Sequence, residues 1–473
     1  MKTLFQTSRY RSISRLTPIV QKKHRLHFIS LFIFFAGFMA IPMVVIAQSV
    51  WSTNYRVGNG TGTGYDVTLA SDPAGVLYAV QSQGEVLVSR NPPATEMQSW
   101  IWSSTNRGRT WSAPVSINHE TTLSMTSMAV GGDHAVNIAW MGNFNGNTEH
   151  DIFFTRSTDG GKTWSANLDI IPADSREPNQ VNPVLVIDPR SGQGSHFIVA
   201  MRTYEVGVEH IYAIHSTDYG ASWSALAEIP YPDSSIASIL KVDSLNMKMD
   251  ANGVLYLVFD ETTTEDTRIF LTRSFDGGLS WETAKPISPN VADPLYPGVV
   301  RYPSLTVTEP GVLYLAFAVE NGRTEKLQLM FIRSVDSGEN WSQPTLIGPD
   351  NLPARVKDRV DQSIALEVLA HQTGVTDDEM IVVWTDYGTY PYKNQVRAIQ
   401  SIDGGANWGE ITDPSDAANN DTLNHYAVDT VIHQDQVQVV WLDQRVKNWI
   451  YPYTATFGEV VEEYNVCLPL IRR

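Results

Sequence analysis

The sequence predicts an all-β protein in which seven four-stranded units close into a ring. Two observations support this prediction. The eight-residue pattern Ser-x-Asp-x-Gly-x-x-Trp occurs five times in full, at spacings of 59, 58, 60 and 67 residues. Short segments rich in β-branched and aromatic residues flank each copy in the same order, and no ten-residue stretch beyond residue 47 has helical periodicity.

The strands of one unit can be followed in the fourth repeat. Two alternating apolar segments, Leu245–Asp250 and Val254–Phe259, precede a third, Arg268–Arg273, which runs directly into the pattern. A short segment, Lys285–Ile287, follows it. Because Asp-x-Gly favours a tight turn, the pattern is expected to form a hairpin between the third and fourth strands.

Seven such units fit the chain. The first spans roughly 65–117, and units two to six start near 125, 181, 244, 302 and 362. The seventh starts at Tyr426 and lacks both the pattern and a fourth strand, which Trp51–Val57 can supply. Ring closure removes exposed sheet edges, so we expect a β-propeller over 48–458, closed by its N-terminal strand. Six blades is the alternative.

The first 47 residues have the pattern of an export signal. A basic leader ending at Arg25 precedes an apolar run, Phe28–Ala47, and Val45 and Ala47 suit cleavage before Gln48. An uncleaved membrane anchor is the alternative, because about 20 apolar residues can span a bilayer. Either interpretation predicts a secreted or cell-surface protein. Residues 459–473 are expected to form a C-terminal tail.

Charge and composition exclude several classes of partner. The net charge is −17, and seven of the 34 basic residues but none of the 51 acidic ones lie in 1–47, which leaves −24 for the remainder. Such a body suits neither nucleic acid nor, after signal cleavage, a membrane surface. Cys467 has no partner for a disulfide, and the 11 histidines show no metal-ligand spacing. We expect a monomer without metal or cofactor.

The repeated pattern is expected to hold the fold rather than bind a ligand. Its aspartate can accept hydrogen bonds from turn amides, its glycine permits positive φ, and its tryptophan can pack between neighbouring sheets. A degenerate copy, Ser104–Trp111, has asparagine in place of aspartate. The structural residues are Asn106, Trp111, Asp159, Trp164, Asp218, Trp223, Asp276, Trp281, Asp336, Trp341, Asp403 and Trp408.

This pattern resembles the Asp box, or bacterial neuraminidase repeat, of the sialidase-like β-propellers, over roughly residues 51–457. The resemblance implies that the boxes lie on one face, between strands three and four. It also implies that ligands bind on the opposite face, near the ends of second strands and the starts of first strands. An extracellular glycan or glycoconjugate is the implied partner.

A sialidase would need an arginine cluster for the sugar carboxylate, a tyrosine nucleophile with a carboxylate beside it, and an acid for the leaving group. The carboxylate-binding candidates are Arg202, Arg301, Arg359 and Arg445. The catalytic candidates are Tyr302, Tyr387, Glu205, Asp260, Glu320, Asp386 and Asp443; Glu261 also follows a second strand.

Three functions fit these residues. Sialidases usually begin the first blade with Phe/Tyr-Arg-Ile/Val-Pro, and the nearest match, Tyr55-Arg56-Val57-Gly58, lacks the proline. A non-catalytic glycan-binding propeller is therefore slightly favoured. The alternatives are an exo-α-sialidase and a glycoside hydrolase with two carboxylates, such as Asp260 with Asp386 or Asp443.

Overall fold

The structure is a computed structural model, which describes the chain from Val50 to Glu459 with internal gaps. The predicted signal segment and most of the predicted tail lie outside the described residues, as do Glu205 and Arg359. The described ranges are 50–58, 63–87, 94–117, 124–142, 150–171, 180–191, 195–203, 209–231, 241–262, 267–288, 298–321, 326–352, 364–370, 378–387, 394–415, 425–433, 436–446 and 449–459.

The described strands form seven antiparallel blades, as the sequence predicts. Blades one to three consist of β3 (Thr63–Ser71), β4 (Leu77–Leu87), β5 (Ala94–Ser104) and β6 (Val115–Ile117); β7 (Ser124–Val130), β8 (Val136–Gly142), β9 (Asp151–Ser157) and β10 (Leu168–Asp169); and β11 (Gln180–Ile187), β12 (Phe197–Thr203), β13 (Ile211–Ser216) and β14 (Ala227–Glu228). Two 3-10 turns, Gly132–His134 and Pro189–Ser191, join first to second strands.

Blades four to seven repeat this order. They consist of β15 (Lys241–Met249), β16 (Leu255–Thr262), β17 (Thr267–Ser274) and β18 (Lys285–Pro286); β19 (Gly298–Val307), β20 (Leu313–Asn321), β21 (Lys326–Ser334) and β22 (Thr345–Leu352); β23 (Ile364–Ala370), β24 (Glu379–Tyr387) and β25 (Asn394–Ser401); and β26 (His425–His433), β27 (Gln436–Val446) and β28 (Trp449–Glu459). In blade six the fourth strand is reduced to one bridge, Ala398 to Thr412.

The N-terminal segment closes the ring, as predicted. Strands β1 (Val50–Trp51) and β2 (Tyr55–Arg56) pair antiparallel with β28, so they form the outer strand of blade seven. The Trp51 ring lies 5.1 Å from that of Phe457, and its indole N–H donates to Thr412 Oγ1 at 2.9 Å. Blades one and seven also touch through one parallel pair, Ile450 with Thr63.

The core lies between the blades. Each of the seven junctions between neighbouring blades holds its own cluster of buried apolar side chains in the described residues. Second strands supply the largest share of these side chains, because both of their faces are covered by adjacent blades. This explains why their sequences are continuous apolar runs, such as Leu313–Val319, rather than alternating ones.

The Asp boxes are closed turns after the third strands. In blade two, Ser157 Oγ donates to Asp159 Oδ1 at 2.8 Å and accepts from the Gly161 amide at 2.8 Å. Asp159 also accepts from the side chain and amide of Thr163, and these bonds lower the pKa of Asp159 to about 2. Asn106 makes the equivalent bonds in the degenerate box, so amide oxygen replaces carboxylate there without loss of the turn.

Candidate functional site

The face opposite the boxes, here called the upper face, collects four kinds of strand end. Since the boxes follow third strands, first and third strands start at the upper face, whereas second and fourth strands end there. The candidate residues from the sequence lie at two of these positions. Residues at the other two positions, the starts of third strands and the ends of fourth strands, complete the face.

Irregular pairing shapes the start of six of the seven first strands. All seven inner strands shift register against their second strands, six of them near the upper face. In three of these bulges a residue with positive φ allows the extra turn of the backbone: Met125, Asn182 and Tyr302. Tyr302, a candidate nucleophile, is thus set by a bulge with a φ of 57°.

Asp260 links two of these bulges. It is 2% exposed, its Oδ1 accepts from the Ser244 amide at 2.6 Å, and its Oδ2 accepts from the Tyr302 amide at 3.2 Å. The structure therefore brings Asp260 and Tyr302 together, on blades four and five. Both carboxylate oxygens bind main-chain amides, so this aspartate positions the backbone of the site.

Arg202 lies at the junction between blades three and four. Its Nη1 donates to Glu209 Oε2 at 3.0 Å, and that oxygen also accepts from the Val242 amide at 2.7 Å. Both charged side chains are buried, 7% and 3% exposed. A buried, neutralised guanidinium is poorly placed to clamp the carboxylate of a ligand, because Glu209 already occupies that role.

Beside this ion pair lie a carboxyl that titrates near neutral pH and a hydroxyl that is uncharged there. Glu261 is 6% exposed, and burial raises its pKa to about 7 against the opposing charge of Arg268. The Tyr231 hydroxyl is buried and has no hydrogen-bond partner within the described ranges. Burial raises the pKa of Tyr231, and the nearby Glu261 and Glu209 raise it further. The Tyr231 ring packs edge-on against Phe259 at 5.8 Å.

We call Arg202, Glu209, Tyr231 and Glu261 the upper-face cluster. Sequence reasoning missed two of its members, Glu209 and Tyr231. They lie at the start of a third strand and just after a short fourth strand, positions where a single chain shows no periodic signal. The available clue was that each is a polar residue directly flanking a strand that ends at the same face.

The other sequence candidates lie on blades five, six and seven. Asp443 is fully buried in β27 and accepts from the Trp441 indole N–H at 3.1 Å. Arg56, on the closing strand, stacks on the Tyr451 ring at 3.5 Å. The remaining described candidates take these strand positions: Arg301 opposite Ala318, Glu320 opposite Val299, Asp386 and Tyr387 at the end of β24, and Arg445 near the end of β27.

A central cavity of about 680 Å³ runs between the first strands, closer to the box face. Thr68, Asn246, Lys248 and Asp429 contribute its polar lining. Asp429 accepts from the Leu69 amide at 2.8 Å and from Thr68 Oγ1 at 2.9 Å, and burial raises its pKa. This carboxylate ties blade seven to blade one across the closure of the ring.

The described residues hold neither a candidate metal site nor a helix that could span a membrane. The described part of the chain has no grouping of three or more histidine, cysteine, aspartate or glutamate side chains suited to a metal ion. Its helices are too short to cross a bilayer.

Comparison with known proteins supports the architecture. The model of the BNR repeat-like domain matches residues 47–309 and 133–413. The structure resembles a protein of unknown function from Dyadobacter fermentans, with a TM-score of 0.52, 11% identity, and 88% of this chain and 100% of that chain covered. It also resembles the polysaccharide lyase Uly1, with a TM-score of 0.53, 12% identity, and 85% and 92% covered.

The NanB sialidase from Streptococcus pneumoniae has a TM-score of 0.45 and 12% identity, with 89% and 71% covered. No curated protein matches the sequence. The family model spans most of the propeller, and it agrees with the repeated boxes and the seven blades. The chain belongs to the BNR repeat-like domain family and has the sialidase-like β-propeller fold.

Proposed function

We propose that this protein is an exported propeller that binds an extracellular glycan at its upper face without cleaving it. The observation that carries the proposal is the state of the charged residues there. Arg202 is paired with Glu209, Asp260 with two amides, and Asp443 with an indole N–H. These three residues suggested for binding or chemistry are thus engaged in the fold.

Beside the Arg202–Glu209 pair, two hydrogen-bonding groups that are neutral below about pH 7 are left for a ligand. Protonated Glu261 can donate and accept, and so can the Tyr231 hydroxyl, which has no partner in the described part of the chain. Such a pair beside an aromatic ring suits sugar hydroxyls. Uly1, which shares the fold, is named a polysaccharide lyase, and this is consistent with a polysaccharide ligand.

The test uses residues 48–458, screened on a glycan array and then titrated with the best ligand. We expect Glu261→Gln, which keeps a neutral hydrogen-bonding group, to preserve binding at pH 6. Tyr231→Phe is expected to weaken it about fivefold, the usual effect of one hydrogen bond. The matched control is Glu410→Gln, an exposed acid near the box of blade six. Binding that is indifferent to Tyr231→Phe would contradict this location.

Catalysis is the second candidate, and the pKa of Glu261 favours it. A carboxyl that titrates near pH 7 suits a general acid, as a glycoside hydrolase requires. The same protein is assayed with a fluorogenic α-sialoside and with aryl β-glycosides between pH 4 and 8. Turnover lost in Glu261→Gln but kept in Glu410→Gln would establish a hydrolase. Loss of α-sialoside turnover in Arg445→Ala would identify a sialidase.

Export remains part of the proposal. The basic leader and apolar run of residues 1–47 support it. Expression of the full chain, followed by N-terminal sequencing of the protein outside the cell, is expected to give a mature chain that starts at Gln48. A chain that retains the leader at the cell surface would instead establish the anchor, and a chain that stays inside would refute export.

A further inference from the structure

A second groove lies on the box face, between blades two and three. It has a volume of about 580 Å³, and Phe154, Trp164, Leu168 and Tyr219 supply its apolar lining. Leu168 and Tyr219 are 37% and 41% exposed, unusual values for large apolar side chains in this protein. Aromatic and apolar walls with few polar groups are typical of small-molecule sites.

The cationic group of the groove is Arg156, the residue before the Asp-box serine. Its guanidinium lies over the Tyr219 ring at 4.5 Å and over the Phe197 ring at 6.0 Å. Its Nε is buried without a hydrogen-bond partner, and no carboxylate of the described residues pairs with it. Partial burial lowers the pKa of Arg156.

In blade four the residue before the Asp-box serine is also an arginine, and there two acidic side chains neutralise it. There Arg273 forms ion pairs with Glu282 and Glu339, and its Nη1 donates to the Ser337 carbonyl at 2.9 Å. Glu282 directly follows the box tryptophan of the same blade, and Glu339 follows the box glycine of the next. This second acid therefore reaches the arginine across the junction between blades.

Blades two and three carry neither acid. The residue at the position of Glu282 is Ser165, and the residue at the position of Glu339 is Ala221. Both line the groove. The replacement of two long acidic side chains by two short ones opens the space and leaves a half-buried cation unneutralised. An unpaired buried charge is unfavourable, so an anion brought into this groove would gain an ion pair.

One carboxylate does border the groove, and it is already engaged. Asp218 accepts from Ser216 Oγ, from the Ser222 amide and from Ser222 Oγ within its own box. These bonds lower its pKa to about 2. It forms no ion pair with Arg156 in the described structure, so it does not substitute for the missing acids.

We propose that this groove binds an acidic sugar, whose carboxylate pairs with Arg156 and whose sugar ring packs against Tyr219. Guanidinium recognises a planar carboxylate through parallel hydrogen bonds, and the exposed tyrosine ring offers a flat apolar surface for the sugar. This site is separate from the upper face and from the function proposed there, and its failure would leave that proposal intact.

The experiment measures binding of D-glucuronate to residues 48–458 by calorimetry and by ligand-observed NMR, with D-glucose and inorganic sulfate as comparison probes. Glucuronate is expected to bind, and Arg156→Gln to weaken it at least tenfold. Ala221→Glu is expected to abolish binding, because it restores the acid that neutralises Arg273 in blade four. Arg273→Gln is the matched control and should leave glucuronate binding unchanged.

Unfolding curves of each variant separate a lost site from a lost fold. Ala221→Glu should unfold at the same or a higher urea concentration than the parent, so loss of binding there reports the site itself. Glucuronate binding that survives Ala221→Glu would overturn the proposal. Equal affinity for sulfate and glucuronate, or for glucose and glucuronate, would overturn it as well, because the first needs no sugar and the second needs no anion.

Discussion

Glu261→Gln tests the electrostatics of the upper face through folding stability. Burial raises the pKa of Glu261 from 4.5 to about 7, so the folded protein holds a proton that the unfolded chain releases between these values. The contribution of Glu261 to stability is then largest below pH 4.5 and falls as pH rises through 7. At 1.36 kcal/mol per pKa unit the loss is about 3 kcal/mol. The neighbouring Arg268, Glu209 and Tyr231 are unchanged by the substitution.

The assay is urea unfolding of residues 48–458 and of the variant at pH 5 and pH 8. Between pH 5 and pH 8, we expect the difference in unfolding free energy between the variant and the parent to change by about 3 kcal/mol in favour of the variant. Because other titrating groups are common to both proteins, they cancel in this comparison. Parallel pH profiles for the two proteins would refute the claim that Glu261 is buried in its protonated form.

Three further substitutions test the architecture. Arg202→Ala leaves the charge of Glu209 buried without its partner and should reduce the free energy of unfolding by about 3 kcal/mol. The double variant Arg202→Ala with Glu209→Gln should recover part of this loss, and no recovery would contradict the ion pair. Gly405→Ala should lower the free energy of unfolding by about 3 kcal/mol, because φ is 83° and a Cβ would lie 2.3 Å from a phenylalanine ring. Gly277→Ala is the control: φ is 77° there as well, but the space around a Cβ is open, so the loss should be only about 1 kcal/mol. Equal effects at the two glycines in urea unfolding would exclude a packing role for the box turn. Trp51→Ala should lower the unfolding free energy by about 2 kcal/mol, and an unchanged urea midpoint would mean that the closing strand contributes little.

The architecture was predictable because every copy of the repeated pattern has the same structural requirements. Each box needs a turn, a positive φ and a wedge, and five full copies reveal the period directly. The missing fourth strand of blade seven likewise pointed to an N-terminal partner, and Trp51 is found there. One regularity was overlooked: Tyr78 and Tyr256 lie at the second position of their second strands, and each donates to the aspartate directly after the preceding first strand.

The site was less predictable, because side chains of the same type serve different purposes there. Asp260 and Glu261 are adjacent acids at one strand end, yet the pleat directs them to opposite sides of the blade. Asp260 accepts from the Tyr302 amide of blade five, and Glu261 lies beside blade three. A sequence shows that two acids are present but not which neighbour each one meets. Arg156 and Arg273 show the same limit, since their contrast depends on residues of the following blade.

Closure through β28 has a consequence for how the chain acquires its structure. Trp51 pairs with Phe457, so the first described strands find their partner only after the last blade has been synthesised. The entropic cost of closing a loop grows only slowly with its length, so this contact costs little extra free energy. It nevertheless forms late, because its two partners are far apart in sequence. Until it forms, β28 presents an open edge to other chains. The emerging protein is most exposed to misassociation at the moment just before the ring completes.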